Sequence, residues 1–164
     1  MSQRIWPVAL PLLAILSSIA GCQQPAREAR PQSAVGKPEV VEEYWPNGLF
    51  RLHKEVLRRP NGTTVDDGAY TAWYDNGQME YRSSFVRGKP DGVMLRYHRN
   101  GQTGVEQHFV AGVRQGPRFT WDENGLLRKE EHFVDDKPDG TWTTWDDKGK
   151  IKAQQHFERG VPKP

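Results

Sequence analysis

Only one cysteine, Cys22, occurs in 164 residues, which excludes an intramolecular disulfide. Charge of a single sign is also lacking: 23 Lys and Arg stand against 21 Asp and Glu. The signs alternate, as in Arg128-Lys129-Glu130-Glu131, so no basic stripe exists to follow a nucleic-acid backbone. No glycine-rich phosphate loop is present, and no serine sits in a nucleophile-elbow pattern. Apolar residues never persist at spacings of three and four, which a helical stripe would require. The one long apolar stretch, VALPLLAILSSIA from Val8 to Ala20, is too short and interrupted for a comfortable membrane span. These absences argue against an enzyme, a nucleic-acid binder and a helical protein.

What the chain does have is a period of 24 residues. Phe85, Phe109, Phe133 and Phe157 keep that interval, and so do Trp73, Tyr97, Trp121 and Trp145. Gly68, Gly92, Gly116 and Gly140 form a third column, and Gly77, Gly101, Gly125 and Gly149 a fourth. Each copy holds an aromatic-bearing run, a turn such as Asp75-Asn76-Gly77, a second run, and another turn such as Arg87-Gly88. One copy is therefore two antiparallel strands, and the aromatic columns are its structural core. Asn76-Gly77, Asn100-Gly101 and Asn124-Gly125 suit two-residue type I′ hairpins, which need positive φ at both central residues. Lys148-Gly149 predicts a weaker last turn. Met79, Thr103, Leu127 and Ile151 stand six residues before the phenylalanines. An even separation in a strand predicts a shared face, hence a sheet with one apolar face. Tyr70, Tyr74 and Trp142 have the opposite parity to the Trp/Tyr column and are candidates for an exposed binding face.

A degraded copy precedes the four. Tyr44 and Trp45 stand before Gly48 as Trp73 and Tyr74 stand before Gly77, and Val56 takes the phenylalanine position. Extra residues around Pro60, Asn61 and Gly62 read as a loop insertion. The expected organisation is a removable leader at 1–21, Cys22 and a flexible tether at 22–38, a degenerate repeat or cap at 39–66, and four repeats at 67–164. The fold class is all-β: an elongated single-sheet antiparallel meander of tandem 24-residue hairpins.

The leader ends in Ile19-Ala20-Gly21-Cys22, which resembles the bacterial lipobox and implies lipid modification of Cys22. Gln23 after the cysteine, rather than Asp, resembles an outer-membrane sorting signal in a Gram-negative cell. The repeats, read as DGAYTAWYDNG with FVRG, DGVMLRYHRNG with FVAG, and DGTWTTWDDKG with FERG, resemble the bacterial variant of the MORN repeat. The third copy departs, with Gln115 before Gly116 and FVDD in place of FxxG. The resemblance implies hairpins stacked by their aromatics. Proteins with such repeats often carry the label of an antitoxin component of a toxin–antitoxin system, a role that requires a cytoplasmic form.

No catalytic, cofactor or metal site is expected. His108, His132 and His156 form a column, but successive imidazoles two strands apart lie about 10 Å from one another, too far to share a zinc that needs roughly 2 Å bonds. Acidic pairs such as Asp135-Asp136 fall at turns, where Asp bonds local backbone. The expected partners are the membrane, through Cys22, and a protein of the bacterial cell envelope, with no nucleic acid. A glycan or small-ligand binding module is the alternative, with Tyr70, Tyr74 and Trp142 as its contacts.

Overall fold

The computed structural model describes residues 36–164; Cys22, the leader and the greater part of the tether lie outside them. The described residues are all strand and turn, in one open antiparallel sheet. The strands are β1 (Lys37–Tyr44), β2 (Phe50–Arg58), β3 (Thr64–Trp73), β4 (Met79–Val86), β5 (Lys89–Pro90), β6 (Gly92–Tyr97) and β7 (Thr103–Val110). β8 (Val113–Trp121), β9 (Leu127–Val134), β10 (Lys137–Pro138), β11 (Gly140–Trp145), β12 (Ile151–Glu158) and β13 (Val161–Lys163) follow. Lys37 and Pro38, assigned by composition to the tether, already belong to β1, paired with Arg58 and Leu57. Apart from the two-residue β5 and β10, which pair back onto β4 and β9, each strand hydrogen-bonds to the next along the chain, so the sheet is a continuous meander.

The I′ geometry expected at the Asn-Gly turns is found instead at the other turn of the repeat. At Asn76-Gly77 the Gly77 N–H donates to Tyr74 O at 3.0 Å and Tyr74 N–H donates to Gln78 O at 2.8 Å. Gly77 has φ +82°, but Asn76 is not among the non-glycine residues with positive φ. This is a type I turn closed by a left-handed glycine, a three-residue hairpin loop rather than the two-residue I′ form. The longer loop lets Asn76 Oδ1 accept Gln78 N–H at 3.1 Å. The true I′ turns lie at the other end of the hairpins. Arg87-Gly88 has φ +51° and +82°, and Asp135-Asp136 has +49° and +64°. Lys148-Gly149 makes the same three-residue loop as its counterparts, with Asp146 Oδ1 accepting the N–H groups of Lys148 and Lys150, both at 2.9 Å. The presumed insertion at Pro60-Asn61-Gly62 is an ordered turn of this kind too, with Gly62 N–H donating to Arg59 O at 2.9 Å.

The sheet does not have one apolar face. Ala72 pairs with Tyr81, yet Trp73 pairs with Met79, so Glu80 is an extra residue in β4. The same slip recurs at Tyr97, Trp121 and Trp145, and at Tyr44 in the first hairpin. A bulge one residue inside every second strand inverts the parity that an even spacing implies. Met79 therefore faces the same way as Trp73, while Phe85 faces the opposite way. One face carries the Trp/Tyr column near the Asn-Gly turns. The other carries the Phe column near the I′ turns.

The Phe face explains two columns together. Phe85, Phe109, Phe133 and Phe157 stand directly opposite Gly68, Gly92, Gly116 and Gly140. A glycine opposite leaves room for the ring to lie across the neighbouring strand, and its positive φ, +86° at Gly116, is a conformation other residues reach only at a cost. Most of the fully buried side chains lie on this face: Val56, Ser83, Gln107, Glu131 and Phe133.

Candidate functional site

The constant positions of the repeat are committed to holding hairpins together. The Asp of each Asp-Gly pair caps the I′ turn of its own repeat. Asp67 Oδ1 accepts Arg87 N–H at 3.0 Å, Asp91 Oδ1 accepts Ala111 N–H at 3.2 Å, and Asp139 Oδ1 accepts Arg159 N–H at 3.0 Å. Gln115 performs the same task in the third repeat, its Oε1 accepting Asp135 N–H at 2.9 Å. The turn asparagines brace one repeat against the next: Asn47, Asn76 and Asn100 donate from Nδ2 to Asp75 O, Arg99 O and Glu123 O.

A further brace runs through the residue that opens each Asn-Gly turn. Trp45 Nε1 donates to Trp73 O at 3.0 Å, and Tyr74 Oη donates to Tyr97 O at 2.8 Å. His98 Nε2 stands 2.9 Å from Trp121 O. Tyr74 is thus half-buried and tied to the adjacent hairpin. Asp122 and Asp146 occupy the same column and cap their own turns instead. Burial raises the Asp122 carboxyl, but the N–H groups of Leu126 and Asn124 and the Arg128 guanidinium outweigh it, leaving it below the usual carboxylate range. The Arg114 guanidinium and N–H likewise hold Asp136 low.

Tyr70 and Trp142 lie on the Phe face. Tyr70 meets Tyr81 edge-on with ring centroids 5.6 Å apart and Phe85 at 5.7 Å. Trp142 sits between Phe133, at 5.3 Å, and Phe157, at 4.7 Å, and its Nε1 donates to His132 O at 3.0 Å. Both are half-buried. The histidine column lies on the Trp face, where His108 and His132 each pair with the glutamate two residues earlier at 3.0 Å. Among the described residues no set of three or more His, Cys, Asp or Glu is placed to hold a metal ion.

A groove of about 610 Å³ opens on the Phe face between β3 and β8, within the usual size of small-ligand clefts. From β3 to β8 the lining runs through Tyr70 and Ala72, then Tyr81 and Phe85, then Met94 and Arg96, then Val105, and ends at Arg118, with Asp66 and Glu80 also present. Of the three aromatics proposed from sequence, the groove gathers only Tyr70. Tyr81, Met94, Arg96 and Arg118 were not singled out by the sequence. Their shared trait is that their columns change chemistry between copies: Tyr70, Met94, Arg118 and Trp142 form one, and Tyr81, Val105, Lys129 and Ala153 another. The bulge concealed that these columns meet.

Two segments, residues 66–87 and 138–159, match the model of a family described as the MORN repeat variant. No curated protein matches the chain. Both matched segments run from beside the capping Asp, Asp67 or Asp139, to the first I′ turn residue it holds, Arg87 or Arg159. Repeats of this type are generally associated with binding proteins or membranes, and the all-β array is typically a non-catalytic scaffold.

Proposed function

We propose that this chain is a non-catalytic repeat scaffold, held at a bacterial envelope membrane by a lipid on Cys22, which binds another envelope protein along its Phe face. The observation that supports this reading is the division of the repeat columns. The constant positions go mainly to turn caps and ring-on-glycine packing, whereas the open groove is lined, Phe85 apart, by positions that vary between copies. A repeat array presents a long surface suited to a large partner. The lipobox-like Ile19-Ala20-Gly21-Cys22 supports the anchor, and in a Gram-negative cell Gln23 supports an outer-membrane position facing the periplasm.

Crosslinking in intact cells followed by affinity capture tests the scaffold. A partner whose crosslinks map to the Phe face is expected, and recovery of none counts against it. Palmitate labelling tests the anchor separately: label on the wild type and not on Cys22→Ala is expected. Equal label on both, or on neither, overturns it. Tyr70 in the groove supports a second reading, a glycan-binding module, for which glycan-array binding should disappear in Tyr70→Ala.

A further inference from the structure

We infer that the groove on the Phe face receives an acidic peptide segment of the partner protein, a carboxylate side chain next to an apolar one. This rests on the scaffold reading and gives it a contact chemistry. The cationic lining of the groove is incompletely neutralised. The Arg96 side chain is 63% exposed, and the carboxylate within reach, Glu80 Oε1, stands at 3.8 Å, beyond a hydrogen bond. Arg118 Nη1 contacts Glu131 Oε2 at 3.2 Å, while Lys129 Nζ contacts Oε1 of the same carboxylate at 2.8 Å. Two cations on one buried carboxylate leave positive charge in excess. Asp66 does not offset it, because Lys54 Nζ already holds that carboxylate at 2.8 Å.

The aromatic lining supplies the apolar complement. Tyr70, Tyr81 and Phe85 form a continuous ring surface, and Tyr81 stands directly across from Arg96 in the neighbouring strand. A side chain resting on the rings therefore places its neighbour near the guanidinium groups, which bind carboxylates through paired N–H donors. Between Met94 and Arg118 lies Gln107, 2% exposed, whose Oε1 has no hydrogen-bond partner. Such an acceptor is costly to leave unsatisfied; the other end of the amide is already used, Nε2 donating to His108 O at 3.1 Å. A neutral glycan offers hydroxyl groups without the anionic head, and a nucleic acid requires a longer file of cations than this groove holds.

The test uses the full chain with acetyl-Glu-Phe-Glu-amide as probe and acetyl-Gln-Phe-Gln-amide as its uncharged control, followed by NMR titration. The expected result is shifts at Tyr70, Tyr81, Met94, Arg96 and Arg118, with the control weaker by roughly tenfold or more. Arg96→Gln should lose that discrimination at unchanged melting temperature, since Arg96 lies at the surface. Arg118→Gln is the second variant, read only if it melts as the wild type does. Equal binding of both peptides, shifts elsewhere, or no shifts overturn the proposal, as does an oligosaccharide that moves these resonances when the charged peptide does not. Partner capture that survives Arg96→Gln with unchanged crosslinks would leave the scaffold reading standing and remove the acidic-segment contact.

Discussion

Tyr74 illustrates how one atom can decide a residue's role. Its ring invites a reading as an outward binding aromatic, but its hydroxyl is spent on Tyr97 O in the next hairpin. Tyr74→Phe should therefore cost about 1 kcal/mol, the net worth of one such hydrogen bond, measured by urea denaturation. An unchanged midpoint would return Tyr74 to the candidate ligand contacts. Gly116 is held by conformation, with φ +86°, so Gly116→Ala should cost roughly 1–2 kcal/mol from backbone strain. The depressed carboxyls of Asp122 and Asp136 have a pH consequence whose sign is fixed. The folded state binds these protons less readily than the unfolded chain does. Their contribution is thus fully present above the usual carboxylate value near 4 and lost as pH falls through the lower folded values. Melting temperature should decline on the acid side of about pH 4, and Asp136→Asn should flatten part of that decline. An identical acid limb in the variant would show that Asp136 contributes nothing.

At the scale of the element, each of the last four hairpins is a pair of strands with one bulge, a type I turn with a closing glycine at one end and an I′ turn at the other. The bulge divides the aromatics between two faces, so each hairpin offers its neighbours two separate rows of packing. Interior rows should carry more energy than terminal ones. Phe133 is 2% exposed, with the Arg114 guanidinium 4.3 Å from its ring and Trp142 against it. Phe157 packs on Trp142 from one side in a hairpin whose β12 residues are mostly exposed. Phe133→Ala should cost about 3–5 kcal/mol, the range for a buried phenylalanine, and Phe157→Ala distinctly less. Equal losses in denaturant titration would argue against nearest-neighbour stacking as the source of stability.

Across the described residues as a whole, the sheet separates the positions that cap its turns from those that line its groove. The I′-turn caps and the Phe-on-Gly packing repeat every 24 residues with little variation, whereas the groove, apart from Phe85, draws on columns whose side chains replace one another between copies. On the proposed scaffold role, such a surface would specify a partner without disturbing the array, because most of its variable side chains are not the ones that cap the turns. Substituting Arg96 should change recognition alone, whereas substituting Asp91, which caps the turn at Ala111, should lower stability and leave peptide discrimination intact in the protein that remains folded. Loss of discrimination in fully folded Asp91→Ala would contradict that separation.

The period, the strand pairs and the positions of the turns were legible in the residues, because each depends on local chemistry: left-handed glycines, side chains that cap their own backbone, and aromatics at a fixed interval. Gly116 and Phe133 were visible as separate columns, and only pairing across strands revealed that one accommodates the other. The faces of the sheet were not legible. A single unpaired residue, Glu80 in β4 and its counterparts elsewhere, inverts the parity of the strand beyond it, and those counterparts are Arg51, Gly104, Arg128 and Lys152, with no side-chain chemistry shared by all to mark them. Tertiary pairing therefore decided which residues meet. It placed Tyr70 beside Phe85 and brought Arg96 and Arg118 to one groove, since register is a property of two strands together and is written in neither alone.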